Sequence, residues 1–226
     1  MPEPPSGARL RDAYFDSVRA LTLHLVRAKD ESLLFGPWEL LRFGRPTVTR
    51  TAVDWPIEGG LLAGAPGGHW RVQSAAGRLE ATLTGYLPRL PRAVYAVSHL
   101  QVHLLFTRLF LLRVRGREPA PGTPAPRPER ISAATVDAAL CLALTGFAGR
   151  RRPKNVLAVA ALYHVMCWTL SGKTLGGAVM RQRVVAVDGS RLTPQQAVLR
   201  LALLPLAWIA WRPLHDRIAG TEVITD

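Results

Sequence analysis

Three apolar stretches decide how this chain folds: ISAATVDAALCLALTGFAG at Ile131–Gly149, NVLAVAALYHVMCWTLS at Asn155–Ser171 and PQQAVLRLALLPLAWIAW at Pro194–Trp211. Each is close to the roughly 17–25 residues that a helix needs to cross a bilayer. Each also carries an ionisable residue: Asp137, His164 and Arg200. A charge in hydrocarbon costs roughly 2.5–3.5 kcal/mol even on mild insertion scales, so it persists where it finds a partner. With the N-terminus on the cytoplasmic side, all three fall about 9–11 Å below that surface at 1.5 Å per residue. The pattern predicts one polar cluster of Asp137, His164 and Arg200, serving either as packing glue or as a path for protons or ions.

The flanks of these stretches divide the chain. Gly116–Pro128 holds five prolines in thirteen residues; such density removes backbone donors and favours an extended spacer. Ahead of it, Leu10–Leu34 has Tyr14, Val18, Leu21, Leu25 and Ala28 at helical spacing. The runs Thr47–Val53, Gly60–Ala63, His69–Ser74 and Arg78–Thr84 are punctuated by glycine and proline, and predict a three- or four-stranded meander. Pro91–Arg115 reads as a helix laid across that sheet, because Ser98, His99, Gln101, His103, Thr107 and Arg108 interrupt it too often for a span. The fold expected is an α-helical membrane protein with two to three transmembrane helices, preceded by a small soluble α+β domain. Its parts are a disordered tail (1–9), the α+β domain (10–115), the proline-rich linker (116–129) and the transmembrane module (130–226).

Charge points to the membrane as well. The net charge of +13 is split between 18 basic and 11 acidic residues over 1–130, and 11 and 5 over 131–226. So even a spread lacks the single basic stripe of a nucleic-acid binder. Arginine suits anionic lipid, since its head can snorkel to the phosphate layer. The Lys/Arg count of the flanks places residues 1–130 and the loop Lys173–Thr193 in the cytoplasm. No cleavable signal peptide is legible at the start. A multi-pass protein of the cell membrane follows, with bilayer lipid as partner, anionic at the cytoplasmic face, and a second copy or another membrane protein as a further one.

Other motifs carry less. Gly172-Lys173-Thr174 lacks the upstream glycine of a phosphate-binding loop, since Cys167 stands there. His99 and His103 have zinc-ligand spacing without a third ligand nearby, and read as packing residues. Cys141 and Cys167 read as small buried hydrophobes. Asp188-Gly189 is a favoured hairpin-turn pair. Thr193, Pro194 and Gln196 form a capping box at the third stretch, where Pro205 removes a mid-helix bond. No catalytic triad, metal set or dinucleotide fingerprint is legible, so neither enzyme activity nor a cofactor is expected.

The C-terminal residues also resemble a known family. Arg130-Ile-Ser-Ala-Ala-Thr-Val-Asp137, Ser171-Gly172-Lys173-Thr174-Leu175-Gly176, Arg183 to Gly189 by way of Asp188, and Leu214-His215-Asp216-Arg217-Ile218-Ala219-Gly220-Thr221 resemble successive signatures of RDD-family membrane proteins. The Arg, Asp and Asp of that name map onto Arg130, Asp137 and Asp216. Gly177 stands where the family usually has Lys, and the stretch from Arg200 to Asp216 is shorter than usual. Residues 10–115 are similar to the N-terminal extensions of actinobacterial members. The resemblance implies a small integral membrane module of a kind suggested to act in transport, with no settled activity. Two other functions fit the sequence: an anchor or scaffold binding partner helices through Gly172, Gly176 and Gly177, or lipid or small-molecule binding by residues 10–115.

Overall fold

The computed structural model describes residues 5–75, 77–116, 121–147, 152–210 and 213–226. The linker's Arg117–Ala120, the arginines at 150 and 151, and Trp211 lie outside them. The structure divides into two units, Met1–Arg115 and Gly116–Asp226.

The first unit opens with α1 (Gly7–Leu21), capped by the Ser6 hydroxyl accepting from the Arg9 amide. Helix therefore starts inside the expected tail. It also ends earlier than the spacing of Leu21, Leu25 and Ala28 predicts. Leu23 and His24 turn at positive φ, and the chain enters β1 (Val26–Lys29) and β2 (Ser32–Phe35). Asp30 and Glu31, both at positive φ, form the two-residue hairpin loop between them. Then come β3 (Trp38–Phe43), β4 (Thr47–Val48), β5 (Ala52–Gly59), β6 (Gly68–Ala75) and β7 (Arg78–Thr84). All seven strands join one antiparallel sheet of order β1-β2-β3-β5-β6-β7, with β4 on β5. The expected meander is thus larger by its first three strands, while Gly60–Ala63 is a connection rather than a strand. β7 shows the alternation that Leu79, Ala81 and Leu83 announce.

Two helices close the unit, α2 (Arg92–Val97) and α3 (His99–Arg115), separated at Ser98. Phe106, Phe110, Leu111 and Val114 of α3 join the core formed by Leu10, Tyr14 and Val18 of α1 with Trp55, Trp70 and Val72 of the sheet. Tyr14 sits at the centre, within 5.0 Å of the Trp55 ring and 5.6 Å of Phe110. Among the described residues, Arg92–Arg115 is the one helical stretch long and apolar enough to cross a membrane. One face of it, Phe106, Phe110, Leu111 and Val114, packs on the sheet, while Val94, Val97, Val102 and Leu104 are exposed.

The second unit holds α4 (Arg127–Phe147), α5 (Pro153–Leu170), α6 (Leu175–Val179), β8 (Gln182–Ala186), α7 (Pro194–Ala210), α8 (Leu214–Ala219) and β9 (Thr221–Thr225). β8 pairs with β9 rather than with residues beyond Gly189. The Asp188-Gly189 turn instead closes a short loop, with the Ala186 amide donating to the Ser190 carbonyl at 2.9 Å. The end of the expected linker is not a free spacer. The Ala125 amide donates to the Val223 carbonyl and the Thr225 amide to the Thr123 carbonyl, each at 2.9 Å, so residues 123–125 lie along β9.

A protein ending at Arg115 should fold with mixed helix and strand by circular dichroism. Within it Trp55→Ala should cost about 3–5 kcal/mol, the usual loss for a large aromatic from a packed core, read by chemical denaturation.

Candidate functional site

The second unit buries a set of polar side chains. Asp137, Arg200, His215, Asp216, Gln196 and Thr221 are all buried, and they form two centres rather than the single predicted cluster.

The first centre lies where α4 and α5 meet the start of α6. The Tyr163 hydroxyl donates to Asp137 Oδ1 at 2.8 Å and accepts from the Leu175 amide at 2.7 Å. The Gly176 amide donates to the same carboxylate oxygen at 2.8 Å. His164 Nε2 lies 3.9 Å from Asp137 Oδ2, while its Nδ1 faces the Ala160 carbonyl at 2.8 Å. Gly176 makes this approach possible, because a Cβ there would stand 2.0 Å from the Ala133 carbonyl oxygen. Thr174 caps α6 by accepting from the Gly177 amide at 3.0 Å. Lys173 pairs with Asp226, so Gly172-Lys173-Thr174 builds a turn and cap. Gly172 itself needs its glycine for a φ of +75°.

The second centre surrounds Asp216. Arg200 Nε donates to Asp216 Oδ1 at 2.9 Å, and the Thr221 hydroxyl to the same oxygen at 2.9 Å. Arg130 donates to Oδ2, and His215 Nε2 lies 3.4 Å from it. Two guanidinium cations, Arg200 and Arg130, thus face one buried carboxylate and offset the cost of taking it out of water.

Arg200 therefore pairs with Asp216, not with Asp137, and this corrects the predicted grouping. Trp168 joins the two centres. Its ring centroid stands 5.1 Å from that of His164, edge-on, and 4.3 Å from the Arg200 guanidinium. The route of the chain explains why depth counting missed Asp216. Gln196 Nε2 donates to the Ala219 carbonyl at 3.1 Å, and Arg200 meets Asp216. These pairs put α8 antiparallel to α7, so the chain doubles back after α7 and β9 returns beside β8. The capping box forms as predicted, with Gln196 and Thr193 bonded both ways at 3.3 Å.

The remaining family positions are structural neighbours of these centres. Asp188 Oδ1 accepts from the Ser190 hydroxyl at 2.6 Å, Gly189 has a φ of +80°, and Gly220 ends α8 at +61°. In the first unit, His103 packs against Trp70 and His99 against Tyr95. Among the described residues, no group of three or more His, Cys, Asp or Glu side chains is arranged to hold a metal ion.

Residues 156–220 match the RDD family. The second unit carries an RDD-family domain. The match runs from α5 to the end of α8 and so includes Arg200, His215 and Asp216, while Arg130, Asp137 and Thr221 lie outside the matched residues. No curated protein and no solved structure shows significant similarity to the chain.

Removing one partner of the Asp216 centre leaves a buried charge uncompensated. Arg200→Gln and Asp216→Asn should each cost about 3–5 kcal/mol in the RDD domain, and the double change clearly less than their sum. Pairing Asp137→Asn with Arg200→Gln should come much closer to additivity, because these residues belong to different centres.

Proposed function

We propose that the RDD domain is an integral module of the cell membrane whose interior acid–base centres serve a transport-related, non-enzymatic role. One observation carries the membrane reading: Asp137, Arg200 and Asp216 are buried, while Ile131, Leu142 and Leu144 of α4 and Leu157, Leu162, Met166 and Leu170 of α5 are exposed. In water such a patch would be a liability; against lipid it needs no partner. α4 has 21 residues and α5 has 18, about 31 and 27 Å at 1.5 Å per residue. These lengths approach the roughly 30 Å of a hydrocarbon core. Among the described residues Arg92–Arg115 is the stretch long and apolar enough to cross by composition. We nevertheless read α4 and α5 as the two crossings, because their ionisable Asp137 and His164 face each other inside the unit; α7–α8 is then a re-entrant hairpin. Its non-helical backbone is tolerated at depth because protein surrounds it. Residues 123–125, the β8–β9 pair and the C-terminus then share one face, assigned to the cytoplasm with the first unit by the arginine count.

The transport role rests on the chain of contacts Asp137–His164–Trp168–Arg200–Asp216 inside an apolar shell. The alternatives draw less support. Gly176 and Gly177 are buried within the domain, so they do not offer partner helices a docking face. The cavity between the sheet and α3 measures about 30 Å³, room for a water or two and not for an acyl chain.

An impermeant thiol reagent applied to intact cells should label a cysteine placed at Arg152 and spare one placed at Ser190. The reverse would invert the topology. In liposomes, Asp137→Asn protein that still folds should lose pH-dependent ion flux, since the exchangeable proton is gone. Full flux from that variant would leave the polar centres as packing elements of an anchor.

A further inference from the structure

The first unit carries an apolar margin that its own core does not use. Backbone bonds stitch three segments side by side there. The Leu61 amide donates to the Glu39 carbonyl at 2.8 Å and the Leu62 amide to Leu40 at 3.0 Å, which lays the β5–β6 connection along β3. The Arg89 amide donates to the Leu62 carbonyl at 3.1 Å and the Gly64 amide to Leu87 at 2.8 Å, adding the segment that leads into α2. Along this margin Trp38, Leu61, Leu87, Leu90, Val94 and Val97 are exposed, from 39% at Leu90 to 79% at Val97. Isolated exposed apolar residues are ordinary, but a row of them on neighbouring segments marks an interaction surface.

Charge selects the occupant. From Ala81 to Arg117 there is no Asp or Glu, and the segment carries Arg89, Arg92, Arg108, Arg113, Arg115 and Arg117. Arg89 and Arg92 are exposed and alternate with Leu87, Leu90 and Val94. The acid within the row, Glu39, is engaged by Ser32 at 2.8 Å and Arg42 at 3.7 Å. Apolar side chains flanked by the exposed Arg89 and Arg92 are the composition of a face that settles into the headgroup layer of an anionic bilayer, with Trp at the interface. We propose that this margin of the first unit docks on the surface of an anionic membrane, as a peripheral contact separate from the inserted helices. The proposal rests on the membrane reading of the RDD domain, because tethering holds the first unit at a bilayer at high local concentration.

The test uses the full chain, with Cys141→Ala and Cys167→Ala, in nanodiscs of phosphatidylcholine with and without phosphatidylglycerol. Spin labels go one at a time on Val97→Cys, Leu104→Cys, Leu162→Cys and Ala75→Cys, the last at the opposite end of the β6 strand. Relaxation by oxygen and by a water-soluble nickel complex gives each label's depth. With phosphatidylglycerol, the Val97 label should report headgroup depth while the Ala75 label stays in water. Without it, Val97 should become water-accessible. Arg89→Gln with Arg92→Gln should lower the docked-to-free ratio about 25-fold, taking about fivefold for each arginine near the surface. The proposal falls if Val97 is as water-accessible as Ala75 in anionic discs, or if docking ignores both lipid charge and the arginines. A Leu104 label at the bilayer centre would overturn it in favour of a crossing by Arg92–Arg115. The Leu162 label separates the two readings: lipid contact there with Val97 in water defeats this proposal alone, and water at Leu162 defeats the membrane reading beneath it.

Discussion

The RDD domain depends on the carboxylate of Asp216. It accepts from Arg200 on α7, Arg130 on α4 and Thr221 at the start of β9, so one side chain ties the first helix, the hairpin and the terminal strand. A carboxylate so placed has given up its hydration, and its neighbours must replace it. Without these partners α8 would have little reason to fold back along α7. β9 would then lose its place beside β8, and residues 123–125 would lose theirs beside β9. The short helices follow from the same constraint. α6 exists because Asp137 and Tyr163 receive its first amides and because Gly176 has no side chain to hold it off α4.

The buried layer of this domain sets charge-assisted hydrogen bonds beside a small apolar cluster of Trp168, Val184, Leu192, Ala197 and Val223, and the exposed leucines of α4 and α5 face outward. Such a layer specifies geometry sharply, because each polar atom needs a partner at one position. It also puts titratable groups in a chain of contact. Trp168 is the joint in that chain, in contact with both His164 and Arg200. The first unit is the opposite case, with Tyr14 and the two tryptophans packed in an aromatic core beneath α3.

Much of this was legible in the sequence, and the misses have physical causes. Asp137 and His164 were expected together and stand 3.9 Å apart. Arg200 was expected with them because all three share a depth, but depth along separate helices says nothing about azimuth. Its partner Asp216 was read as part of a closing signature, and only the doubling back of α7–α8 brings it to Arg200. Alternation gave β7 at once, since one face of that strand is half-buried. The β1–β2 hairpin was hidden because its turn uses Asp30-Glu31 in place of the glycine-bearing pair such turns favour. Leu21, Leu25 and Ala28 then mimicked a continuing helix. The proline-rich segment was read as a spacer from composition, which carries no information about the β9 edge that Ala125 meets.

Hydrogen–deuterium exchange of the full chain in nanodiscs, comparing the native protein with Asp216→Asn, tests the central claim most directly. If Asp216 holds the domain together, the amides of Ala125 and Thr225, which bond the 123–125 segment to β9, should be protected in the native protein and should begin to exchange together in the variant, while those of Val53 and Val72 in the first unit stay protected. Native-like protection of Ala125 and Thr225 in the variant would contradict the account, because the fold-back of α8 and β9 would then stand without the carboxylate assigned to hold it.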